Sequence, residues 1–216
     1  MREIKPLKYT ELDGLSEKQL KEHHDVLYAG YVKKIGEIEE KLKTVDLSTA
    51  NASYSDLREL KMEETFALNG VKLHEGYFAN MAPPSSKSDF GTPKKSDFFP
   101  GGVMPSGAIM EMLKRDFGSY EKWEAEFKAM GLCARGWVVL GYDLDEKKLK
   151  NILCDSHNQG APWNMIAVLI MDVYEHAYFI DYATARKAYI EAFFKNIDWK
   201  FIDMRISEYG LLFLKK

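Results

Sequence analysis

The stretch Ile166-Ala-Val-Leu-Ile-Met-Asp172-Val-Tyr-Glu-His176 decides how the rest of the chain is read. A run of apolar, mostly branched residues stops abruptly at a carboxylate, as a buried strand does when it delivers a polar group to its end. A buried aspartate is rare unless it is paired or holds a cation. With an imidazole just beyond it, Asp172 marks a candidate site that other parts of the chain have to complete.

Upstream, two shorter β-rich runs, Trp137 to Tyr142 and Leu149 to Cys154, flank a stretch, Asp143 to Lys148, that suits a hairpin turn. Helical segments are predicted around Ala108 to Phe117 and Tyr120 to Met130, and again from Tyr182 onward. Nearer the N-terminus, Ser16 with Gln19 three residues on fits a capping box, and Leu20, Leu27, Tyr31, Ile35, Ile38 and Leu42 then recur at helical spacing. That predicts one long amphipathic helix. A second, from about Ser55, carries Leu60, Ala67, Val71, His74, Phe78 and Met81 on one stripe until Pro83 and Pro84 end it. Two long helices in succession imply an antiparallel hairpin. From Ala82 to Pro105 the chain is rich in Pro, Ser, Gly and Lys with little periodicity and reads as a connection between folding units. The expected class is α+β: an N-terminal helical hairpin domain over residues 1–92, then a C-terminal α/β metal-binding domain over residues 93–216.

Composition narrows the partners. A net charge of -3, with no dense basic run, leaves no electrostatic footprint for nucleic acid. The longest apolar run, Met165 to Met171, is far too short to cross a bilayer, and charged residues stand where a signal peptide needs an apolar stretch. No membrane partner is expected, and the cytoplasm is the expected location. Cys133 and Cys154 form no C-x-x-C pair, and both are read as small buried residues.

The placement of the histidines carries more than their number. His23 lies on the apolar stripe of the first helix between Leu20 and Leu27, with His24 on its flank, and His74 lies on the stripe of the second between Val71 and Phe78. One such histidine is ordinarily a hydrogen-bonded core residue. Two facing each other across a hairpin, with Asp172 and His176 as further donors, make a metal site competitive, because neutral imidazole is the commonest protein ligand. Three nitrogens and one anionic oxygen suit iron or manganese, with zinc left open by ligand type alone.

At these residues the chain resembles the iron/manganese superoxide dismutase family. Asp172-Val-Tyr-Glu-His176-Ala-Tyr is close to the family's D-x-W-E-H-A-Y signature, and Ser16 through Tyr31, Phe117-Gly-Ser119, Gly136-Trp137, Arg186 and Trp199 stand at matching places. The resemblance implies a C-terminal domain of helices around a three-stranded antiparallel sheet. It also implies one iron (preferred) or manganese ion per subunit on His23, His74, Asp172 and His176, and disproportionation of superoxide to oxygen and hydrogen peroxide. Tyr31 falls at the substrate entrance, Trp137 lies among the site residues, and Arg186 is placed to draw in the anion. Glu175 matches the residue that reaches a partner subunit's ligand, so a homodimer or dimer of dimers is implied. Gly70, one turn before His74, stands where iron enzymes often carry glutamine. The side chain that bonds metal-bound solvent then has to come from elsewhere: His157, as in some archaeal members, or Gln159 if the loop carries a gap. A solvated loop residue is an equal reading of His157.

The chain departs from the family pattern at four places. Leu27 replaces a gateway histidine and Phe179 the tyrosine that bonds it across the dimer interface. Losing both members of a buried pair costs less than losing one. Tyr174 and Phe78 replace other aromatics and keep the pocket walled. The alternatives are a dismutase-fold metal-binding protein with a non-catalytic structural or interaction role, and a zinc-dependent hydrolase, against which stands the lack of an extra general base.

Overall fold

Ser16 caps the first helix by accepting from Gln19 N at 3.2 Å, which opens α1 (Glu17–Lys21). The chain of the protein, here a computed structural model, is described over residues 2–83 and 104–211. Helix α1 does not run on unbroken as expected. Glu22–Tyr28 form a π-helical segment, in which Ala29 N bonds His24 O, before α2 (Ala29–Leu42) resumes. The wider turn absorbs one extra residue, and the buried stripe slips by one position. Tyr28 and Val32 are buried, while Leu27 and Tyr31 are only partly so.

Helix α3 (Asp56–Ala79), capped by Ser55, packs against α2 as the expected hairpin. It ends before Pro83. The expected connection and the domain boundary at residues 92 and 93 lie largely outside the described residues. The hairpin is nevertheless tied to the C-terminal half: Met81 bridges Ile197, and Ala82 N donates to Asn196 O at 2.8 Å.

In that second half, α4 (Ala108–Phe117) and α5 (Tyr120–Cys133) precede a three-stranded antiparallel sheet in the order β2-β1-β3. Its strands are β1 (Trp137–Asp143), β2 (Lys148–Cys154) and β3 (Met165–Asp172). The central strand β1 is buried along its whole length, and its register sets Trp137 opposite both Cys154 and Asp172. Trp137 and Asp172 therefore project from the same face of the sheet, and α3 packs on β3. Helices α6 (Phe179–Tyr182), α7 (Arg186–Lys195) and α8 (Trp199–Glu208) complete the chain. One continuous apolar core joins Leu20 and Val71 of the hairpin to Trp123, Leu169 and Phe193. Cys154 belongs to it; Cys133, at the end of α5, is exposed, because that helix turns its last residue to solvent.

Candidate metal centre

His23 enters from the π segment, His74 from α3, Asp172 from the end of β3, and His176 from a single 3₁₀ turn (Glu175–Ala177). One donor atom from each lies within 4.8 Å of all the others. Asp172 Oδ2 is the hub, at 3.1 Å from His23 Nε2, 3.2 Å from His176 Nε2 and 3.7 Å from His74 Nε2. His74 and Asp172 are wholly buried.

The charge state depends on the surroundings. Burial opposes the charge on Asp172, but the His176 imidazole and the hydrogen bonds from His176 and His23 outweigh it and hold the carboxyl well below its usual range. Burial lowers His23 and brings His74 down to about 3, so both imidazoles are neutral. For His176, burial works against the cation but the Asp172 charge prevails and raises its pKa.

His74 shows why a cation suits the cluster. Its Nδ1 lies 2.6 Å from Gly70 O, an acceptor, so the ring proton sits on Nδ1. The other nitrogen, Nε2, then carries a lone pair, is buried without a hydrogen-bond partner, and faces the Asp172 carboxylate. Two unprotonated acceptors turned toward each other away from water repel. A cation between them converts that cost into coordination, and a ligating histidine whose other N–H is bound to a backbone carbonyl is the usual arrangement at such centres. The donor set fits iron or manganese.

Around the four donors stands an aromatic wall. The Phe78 ring centroid is 4.9 Å from that of His23, Tyr174 stacks on His176 at 5.0 Å, and Trp137 meets His74 edge-on at 4.9 Å. His157 is buried rather than solvated, its ring 4.6 Å from that of Phe66. Trp137 Nε1 donates to its Nδ1 at 3.0 Å, and its Nε2 lies 2.8 Å from Tyr31 Oη. Gly160, with φ of +100°, lets the loop fold back on β2, where a side chain would run into the Leu153 carbonyl. Gln159 is left exposed, its backbone paired with Ser156 in the same turn.

Arg186 stands apart from the donors, giving Nε to Tyr178 Oη at 3.0 Å and Nη1 to Ala134 O at 2.9 Å. His24, expected on the flank, is buried outside the cluster because Lys5 O and Asp25 close over its ring nitrogens. Sequence reading missed Tyr189, whose hydroxyl donates to Asp172 O at 2.6 Å and also meets Tyr77 Oη at 3.2 Å. No signal in the helical tail singled it out.

The fold and a buried His₃Asp cluster that could hold a metal ion, set between a helical hairpin and the end of a sheet strand, define a class of candidate metalloproteins. Similarity to known proteins narrows that class. Residues 105–205 match the family model described as iron/manganese superoxide dismutases, C-terminal domain. A superoxide dismutase of Aquifex aeolicus designated as an iron enzyme is 38% identical over 94% of this chain and 89% of its own length. One of Haloferax volcanii, designated as a manganese enzyme, is 37% identical over 91% of each chain. A third, designated iron, from Cupriavidus metallidurans, is 36% identical over 92% of each. The chain belongs to the iron/manganese superoxide dismutase family.

Proposed function

We propose that the chain disproportionates superoxide at this centre: two superoxide anions and two protons give one oxygen and one hydrogen peroxide. The observation that carries the reading is the unpartnered His74 Nε2 facing the ionised Asp172 among four converging donors. His23, His74, Asp172 and His176 would hold one ion, which would supply one-electron redox chemistry for the two half-reactions. Iron is the preferred metal, in keeping with the Aquifex relative, and manganese is the alternative set by the Haloferax one.

The residues around the donors manage protons and access. The Trp137 indole can only donate, so Nδ1 of His157 accepts and the neutral ring carries its proton on Nε2. Burial keeps His157 neutral, its pKa lowered to about 4. Its Nε2–H is then given to Tyr31 Oη, which leaves the phenol's own proton free to be donated toward a reduced dioxygen species. Burial and the Asp172 charge raise the Tyr31 pKa, so that proton is in place at neutral pH. Arg186, whose partners are a phenol oxygen and a backbone carbonyl rather than a carboxylate, adds positive potential for the incoming anion.

A second copy of the chain is part of the same reading, as a dimer or dimer of dimers. Glu175 is exposed beside His176, and Val26, Phe179 and Ile180 are exposed apolar residues. No helix among the described residues is long and apolar enough to cross a membrane. A cytoplasmic location completes the proposal.

Elemental analysis with pulse radiolysis tests it. We expect about one iron or manganese per chain, superoxide decay far faster than the spontaneous rate, and loss of both metal and activity in His176→Ala. Metal-loaded protein that fails to accelerate the decay would favour a non-catalytic metal-binding protein on the same fold.

A further inference from the structure

Ser16 and Gln19 form only half of a capping box. Ser16 Oγ accepts from Gln19 N, but the Gln19 side chain does not return to Ser16 N. Asp181, from α6, takes that place: its carboxylate accepts from Ser16 N and from Ser16 Oγ, each at 2.7 Å. The Gln19 amide, 1% exposed, is thereby released for other partners. Its Nε2 donates to His176 O at 2.6 Å and its Oε1 accepts from Ile180 N at 3.1 Å. A carbonyl can only accept and a backbone N–H can only donate, so the orientation of the amide is fixed.

We propose that Gln19 is a positioning residue for the metal centre, clamping the turn that carries His176 to the helix that carries His23, with the Ser16–Asp181 pair as its outer latch. The proposal rests on the four-donor reading above. Gln19 stands one turn before His23, on the same side of the helix. His23 and His176 come from opposite ends of the chain, and both approach Asp172 Oδ2. His176 sits on a single 3₁₀ turn with no side-chain cap of its own, closed only by Ala177 N to Tyr174 O and Tyr178 N to Glu175 O, neither of which uses the His176 carbonyl. The two amide bonds hold the chain at residue 176 in the turn and at residue 180 in α6, on either side of Tyr178 in sequence. Gln19 touches neither a donor nitrogen nor substrate. It acts through the backbone of His176, as groups that orient a ligand do.

The test uses metal-loaded protein and three readouts: metal release to excess EDTA, the low-temperature EPR spectrum of the ferric form, and the thermal midpoint of the apoprotein. Gln19→Leu removes both bonds. Gln19→Glu keeps the acceptor for Ile180 N but sets a carboxylate against the His176 carbonyl. We expect both to release metal roughly 10- to 100-fold faster than wild type, with an altered EPR rhombicity. Ile202→Val, a core change in α8, lowers the thermal midpoint and leaves release and spectrum unchanged. Should Gln19→Leu not fold, the exposed latch gives the same answer, because Asp181→Asn is expected to speed release in the same direction. Wild-type release rates and spectra in the Gln19 and Asp181 variants overturn the clamp alone. A wild type that binds no iron or manganese overturns both the clamp and the dismutase reading.

Discussion

Gly70 shows how closely the residues of the centre are fitted. In a helix interior, replacing glycine by alanine ordinarily stabilises by roughly 0.5–1 kcal/mol. Here an added Cβ would stand 3.0 Å from Tyr31 Cδ1, 3.1 Å from its Cγ and 3.4 Å from His157 Cδ2. Gly70→Ala is therefore expected to give no gain in the urea midpoint and a lower rate of superoxide removal, as the phenol is pushed off the imidazole. A stabilised variant of full activity would remove Gly70 from that role. The same fit decides which residues were readable. His23, His74 and Asp172 each put a polar group where the pattern demands an apolar one, and that mismatch is visible without coordinates. His157 lies in a polar loop, Asp155-Ser-His-Asn-Gln-Gly, where no pattern is broken, so only its packing against Tyr31, Phe66 and Trp137 distinguishes it from Gln159.

Among the elements, the first helix departs furthest from its reading. Periodicity predicts one apolar stripe over its whole length, and the π segment shifts that stripe by a residue at the point where His23 enters the site. Backbone pairing of this kind leaves no trace in apolar spacing, since a stripe through Leu27 and Tyr31 is as regular as one through Tyr28 and Val32. The start of the helix carries its own prediction. Loss of an N-cap hydroxyl costs about 0.5–2 kcal/mol, and Ser16 also holds Asp181. Ser16→Ala is expected to lower stability toward the upper part of that range, read as a shift in the urea midpoint. An unchanged midpoint would mean that neither bond contributes. The three strands, by contrast, were placed within a residue or two, because their branched and aromatic runs are short and end at polar turns.

For the whole molecule, the buried imidazoles make stability depend on pH. His23, His74 and His157 have folded pKa values lowered from 6.5, to about 3 for His74 and about 4 for His157, with burial as the largest cause. The unfolded chain binds more protons than the native one below that value. Their contribution is thus complete above about pH 6.5 and is lost as pH falls toward the folded values. His176 has the opposite sign: its raised pKa adds stability that is present below 6.5 and lost as pH rises through the folded value. Metal-free protein is expected to show a steep fall in urea midpoint from pH 6.5 to 4.5, and a flat profile would mean that the imidazoles are not held neutral. Metal-loaded protein should release its ion over the same range, since protons compete for the donor nitrogens. The α+β class, the hairpin, the strands and the four donors are set by the order of residues, because apolar periodicity and polar groups at apolar positions are local properties. The convergence of His23, His74 and His176 on Asp172 Oδ2, the π turn, the burial of His157 and the diversion of Gln19 from its cap to the His176 turn were decided by tertiary structure. Each depends on which distant group arrives within about 3 Å, a property of packing that no local pattern contains.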